Sequence, residues 1–194
     1  RRHRFDSRGV CGRHGLTGQG NERVAKIQFE HASYRTYGDL PAVGSRAPDV
    51  SLVNTKLQNV SLANWMGMRK IMNIFVSIDT SVCAESVIKF ERYAGERDDL
   101  AMLMISYDLP FAHQRFQKEH DLKHVFGLSA IRHAGFGENY GVLIIDGPLA
   151  GMFSRAVVVL DENNTVVHSE LIEDITKEPD YEAAFRALGI DIDE

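Results

Sequence analysis

The apolar residues of this chain fall into distinct spacings, and each spacing predicts a different element. Nearly unbroken runs at Ile71-Met72-Asn73-Ile74-Phe75 and from Leu100 to Ile105 have the length of strands covered on both faces. Between them, Cys83, Val87, Phe90 and Ala94 step by four, three and four, which stacks them on one face of a helix over about 80–95. Glu85, Lys89, Arg92 and Glu96 mark the wet side of that helix, and Gly95 ends it. A strand, a helix of this length and another such strand predict a βαβ unit with a parallel pair.

Shorter signals complete the pattern. Rough alternation from Val24 to Tyr37 predicts a hairpin before Leu40-Pro41, Asp49 to Val53 reads as a further strand, and Ser61 to Trp65 reads as a single turn ended at Gly67. Pro110 starts a helix that reaches about His120, and the apolar run Val142 to Ile145 leads into a turn at Gly147-Pro148-Leu149. Ala156 to Leu160 and Thr165 to His168 flank Asp161-Glu162-Asn163-Asn164 as a hairpin, and a last helix runs from Tyr181 to Leu188. This order is the thioredoxin-like plan: an α/β fold with an N-terminal β-hairpin and a central mixed sheet flanked by helices. Residues 24–194 are expected to form that domain. Residues 1–23, with Arg1, Arg2, Arg4, Arg8, Arg13 and Arg23 among spread glycines, read as a flexible basic tail. An organellar address is the other reading of such a tail, although frequent glycines weaken any amphipathic helix there.

Composition narrows the function. At 194 residues and 44% hydrophobic content the chain suits one main domain. A net charge of -5 gives no basic footprint for nucleic acid, and no apolar run reaches the length of a membrane span. The only two cysteines, Cys11 and Cys83, cannot build a disulfide framework, a four-thiolate zinc site or a CxxC pair, so cytoplasmic thiol chemistry is expected. Eight histidines invite a metal search, but His120 and His124 have no third ligand at motif spacing. No metal and no cofactor are expected. The acidic residues Glu170, Glu173, Asp174 and Glu178 alternate with Leu171, Ile172 and Ile175, as on a solvated face.

One cysteine stands out by position. Cys83 falls in the first turn of the predicted helix, with Thr80 three residues earlier. A free thiol, with a pKa near 8.5, is mostly protonated at neutral pH, whereas free N–H groups and the positive end of a helix favour its anion. A hydroxyl at i−3 shares its face. The same residues also fit a small buried core cysteine behind an N-cap threonine.

The stretch Asn73-Ile74-Phe75, Ser77-Ile78-Asp79-Thr80, Val82-Cys83 resembles the thiol peroxidase family of the peroxiredoxins, whose local pattern is Pro-x-x-x-Thr-x-x-Cys. The resemblance continues in order through Asp108-Leu109-Pro110-Phe111-Ala112, Arg115-Phe116, Arg132, Tyr140-Gly141-Val142, Asp146-Gly147-Pro148-Leu149, Ala156 to Val159 and Glu178-Pro179-Asp180-Tyr181. It implies reduction of hydrogen peroxide and organic hydroperoxides at Cys83, with Thr80 bonding sulfur and peroxide, Arg132 supplying the cation, and a homodimer. Two positions depart from the pattern. Val76 stands at the family's proline, as a lid over the sulfur that neither fixes φ nor lacks an N–H, which predicts a looser site with weaker peroxide reactivity. Gln117 follows Arg115-Phe116 where this group carries a resolving cysteine. The sulfenic acid must then meet an external thiol, thioredoxin or another reductant, or else Cys11 on its tail. One-cysteine behaviour is the expectation. The alternatives are a catalytically weak thioredoxin-like dimer acting as a peroxide sensor or binding module, and a disulfide oxidoreductase, against which the missing CxxC argues.

Overall fold

The computed structural model describes residues 24–192, so Cys11 and the predicted tail lie outside the described residues. The first element is the expected hairpin, β1 (Lys26–Phe29) against β2 (Ala32–Arg35). Its two connecting residues, Glu30 and His31, have φ of 48° and 68°, the left-handed pair that a two-residue type I′ turn requires. Ile27 anchors the hairpin to the domain through a small cluster with Ile144 and Ile175.

The main sheet contains β3 (Leu52–Asn54), β4 (Asn59–Val60), β5 (Arg69–Ile74), β6 (Leu100–Ser106), β7 (Val125–Ser129), β8 (Ala156–Leu160) and β9 (Val166–Leu171), in the order β4-β3-β7-β6-β5-β8-β9. Strands β5, β6 and β7 run parallel, and the remaining pairings are antiparallel. The predicted βαβ unit is therefore β5-α1-β6, with α1 spanning Ser81–Ala94 and Ile71 opposite Met102. Helices α2 (Pro110–Glu119), α3 (Phe136–Asn139) and α4 (Tyr181–Arg186) complete the fold. One face of the sheet packs Val87, Phe90 and Phe185 against Ile71, Met102 and Val157. The other packs Trp65, Phe136 and Tyr140 against Leu103 and Val158.

Helix α1 buries Cys83, Val87, Phe90 and Ala94 as their spacing requires. Thr80 gives it no side-chain cap, forgoing about 1 kcal/mol. Full burial of Val87 or Phe90 contributes about 1.5–3 kcal/mol each. Packing thus fixes this helix, and donors of its first turn stay uncommitted at the level of Cys83.

One strand lies outside the sequence reading, and one apolar run takes a form its pattern left open. Strand β7 was not among the predicted elements; at its central Gly127 a Cβ would stand only 2.7 Å from His113 Cβ on α2. The run Val142 to Ile145 makes only single bridges, Thr36 to Ile144 and Leu143 to Phe153, and carries the chain between the hairpin and β8 without becoming a strand.

Candidate active site

Strand β5 ends at Ile74, and the connection 75–80 delivers the chain to α1 with Cys83 as its third residue. The thiol side chain has no exposed surface. Strand β8 runs antiparallel to β5 with Ala156 opposite Ile74, so the residue just before β8, Arg155, arrives at the same end of the sheet. Its guanidinium Nη2 donates to Cys83 Sγ at 3.3 Å. Nε and Nη2 also donate to the Ile175 carbonyl at 3.2 and 3.1 Å, which fixes the plane of the group. Arg155 is 2% exposed, and its Nη1 is buried without a hydrogen-bond partner among the described residues. A buried cation directed at one sulfur, with a donor to spare, is an arrangement for an anion that forms or binds there.

A pocket of about 250 Å³ opens onto this cation. Val76, Thr80 and Arg155 line it together with Phe29, Leu149 and Ile175. Thr80 and Arg155 give its lining polar points, and the rest of the named lining is apolar. The hairpin, which lies outside the main sheet, supplies Phe29 to this lining.

The sequence-predicted residues separate at this point. Thr80 and Val76 line the pocket with Arg155, whose guanidinium donates to Cys83. Thr80 sits in an extended conformation at the helix start, and its hydroxyl donates to the Ser77 carbonyl at 3.0 Å, because the turn 77–80 brings that carbonyl to it; the expected bond to sulfur is not made. Arg132 takes no part in this cluster. It follows β7, two strands away from β5 in the sheet, and its Nη1 donates to Asn59 Oδ1 at 3.0 Å and to the Leu57 carbonyl. The cation at the sulfur is Arg155. Sequence reasoning passed over it because the family-like segment was read from Ala156, one residue too late. The available signal was an arginine abutting the wholly apolar strand Ala156–Leu160, where a charge must be buried and directed at something. Gln117 Nε2 donates to the Val125 carbonyl at 2.7 Å, so the position where a resolving thiol was sought ties α2 to β7 instead. Among the described residues Cys83 is the free cysteine, and no group of three His, Cys, Asp or Glu side chains could hold a metal ion.

Comparison with known proteins shows the family of the chain. Residues 42–185 match the family model described as Redoxin. The chain is 42% identical over 166 residues to a thiol peroxidase of Corynebacterium glutamicum, covering 86% of this chain and 100% of that protein. It is 43% identical over 166 residues to a thiol peroxidase of Mycobacterium bovis, covering 86% and 99%. Among solved structures, a peroxiredoxin-like protein from Aquifex aeolicus superposes with a TM-score of 0.79 at 29% identity over 86% of this chain and 98% of that one. A thiol peroxidase from Chromobacterium violaceum gives a TM-score of 0.79 at 26% identity over 84% and 95%.

Proposed function

Because the chain belongs to the Redoxin family and, within it, to the thiol peroxidases of the peroxiredoxins, we propose that Cys83 is the sulfur on which it reduces hydrogen peroxide and organic hydroperoxides. The observation that carries the assignment is the 3.3 Å contact from the buried Arg155 guanidinium to Cys83 Sγ. The thiolate attacks the near oxygen of the peroxide; the S–O bond forms as the O–O bond breaks. Sulfur is oxidised to the sulfenic acid, and the leaving oxygen departs as water or alcohol once it takes a proton. Charge grows on that departing oxygen in the transition state. The spare Nη1 of Arg155 is the donor we assign to it, since a donor aimed at developing charge lowers the barrier more than it helps substrate binding. Thr80, in the pocket lining, retains hydroxyl lone pairs to accept a peroxide proton. Val76, packed at the pocket wall in the lid position, lacks the fixed φ of a proline and leaves that wall more mobile, which keeps the peroxide rate below that of a proline-bearing site.

Recycling falls to an external thiol, thioredoxin or another reductant. It condenses with the sulfenic acid to a mixed disulfide with loss of water, and a second thiol then releases Cys83. Sustained turnover with such a thiol is therefore expected to survive Cys11→Ser unchanged, as measured by peroxide consumption over many cycles; loss of turnover would make Cys11 the resolving thiol. A reaction fed by reduced thiols suits a reducing compartment such as the cytoplasm, which is the location we propose. No helix among the described residues is long and apolar enough to cross a membrane.

The homodimer is proposed from one surface. Strands β6 and β7 end side by side, and the segments after them expose Leu109, Phe111 and Ile131 at 52%, 61% and 51%. Large apolar side chains grouped at this exposure are candidates for burial against a second copy. Sedimentation velocity should give the mass of a dimer at micromolar protein. A monomer across the concentration range would remove the proposal.

A further inference from the structure

We propose that Asp108 is a positioning residue for the chemistry at Cys83, its carboxylate fixing the connection 77–80 from which the cysteine-bearing helix starts. The inference rests on the reading of Cys83 as the reacting sulfur. Apart from the Phe75 N–H on the Ile105 carbonyl, the connection is held chiefly through this one side chain. Asp108 Oδ2 accepts from the Ile78 N–H at 2.7 Å, and Oδ1 accepts from the Ser77 hydroxyl at 2.8 Å. The Ser77 carbonyl in turn accepts from the Thr80 N–H at 3.2 Å and the Thr80 hydroxyl at 3.0 Å. The Thr80 carbonyl accepts from Ala84 N at 2.9 Å, the first bond of α1 beside Cys83. An unbroken series of hydrogen bonds thus runs from Asp108 to the turn that carries the sulfur.

The carboxylate is itself held from behind. Ser106 has no exposed surface and donates its single hydroxyl proton to Asp108 Oδ2 at 2.7 Å. Its oxygen accepts from Asp108 N at 3.1 Å and stands 3.1 Å from His113 Nε2. With the hydroxyl proton committed, the histidine must be the donor, so its ring proton is on Nε2. His113 is 2% exposed; burial pushes its pKa down to about 4, against the pull of the Asp108 and Asp79 carboxylates, so the ring is neutral near pH 7. The ring side chain is wedged over Gly127 on β7, where no larger residue fits. A second tie of the same connection, the ion pair of Asp79 with Arg115, is exposed and adds little. A buried network of this kind holds one geometry, and small displacements at a reacting atom are costly in rate.

The test uses the full chain with Asp108→Asn, which keeps the size of the group but turns an amide N–H₂ toward Ser77 or Ile78. Cys83 alkylation by neutral iodoacetamide is followed across pH, together with the single-turnover peroxide rate and the melting temperature. The expected result is a loss of about tenfold in both rates at pH 7, with the alkylation profile displaced to higher pH. Ser77→Ala, which deletes one of the two ties, should show the same displacement at reduced size and serves if Asp108→Asn does not fold. Unaltered alkylation and peroxide rates in the folded variant, with only a lower melting temperature, would overturn the proposal. A displaced alkylation profile in a chain whose parent ignores peroxide would uphold the positioning role while removing the peroxidase reading.

Discussion

Cys83→Ser should reduce peroxide no faster than buffer does, a loss of several orders of magnitude, while its fold and melting behaviour stay close to the parent. The serine hydroxyl does not ionise near neutral pH and cannot be oxidised as sulfur can, so neither the nucleophile nor its sulfenic acid exists in the variant. The structural cost is small because oxygen replaces sulfur in a site that already offers a donor, Arg155 Nη2. A competitive assay against a fluorescent peroxide probe checks the rate, and circular dichroism checks the fold. The weak-dimer or binding-module alternative predicts that the substitution leaves peroxide consumption where it was. The contact between a buried cation and the sulfur does not favour that alternative.

Arg155→Leu is expected to lower the second-order rate with hydrogen peroxide by about 10²–10³-fold, the range seen when a single donor to developing charge is removed. It also leaves the Ile175 carbonyl without its donors, a cost of roughly 1–3 kcal/mol in stability. Arg155→Lys separates the two effects. A lysine restores positive charge, but its ammonium cannot reproduce the planar fork that reaches both the carbonyl and the sulfur. It should recover stability more than rate. Arg132→Leu is the control: its guanidinium is engaged by Asn59 and Leu57 at the β3–β4 end of the sheet, and the rate should stay within about twofold, as for a surface hydrogen bond or ion pair. A large loss in Arg132→Leu with none in Arg155→Leu would reverse the assignment.

The contrast between these two arginines shows how far the sequence could be read. Cys83 and its helix were legible because periodicity is local: four apolar positions at helical spacing between two apolar runs leave one sensible arrangement. The parallel pairing of β5 with β6 followed from the same short range. What brings a cation to the sulfur is not local. It depends on β8 entering the sheet antiparallel beside β5, so that residue 155 lands 72 positions away from its partner in the chain and in contact with it in space. Strand β7 was hidden for a related reason, since its central glycine makes sense only once the His113 side chain packed against it is known. The Thr80 hydroxyl shows a third limit. Sequence spacing placed it on the face of Cys83, but the turn before the helix supplies a nearer acceptor in the Ser77 carbonyl. Val76 lines the pocket beside the apolar residues Phe29, Leu149 and Ile175, which come from three separate parts of the chain and carry no signal in its local pattern.

The most direct test of the central claim is a single turnover. Reduced protein is mixed with one equivalent of hydrogen peroxide in the absence of added thiol, quenched with a sulfenic-acid trap, and mapped by peptide mass spectrometry. The account predicts one added oxygen, captured by the trap, on the peptide that carries Cys83, and slower formation of that product in Arg155→Leu. Peroxide consumption with Cys83 left as an unmodified thiol would contradict it.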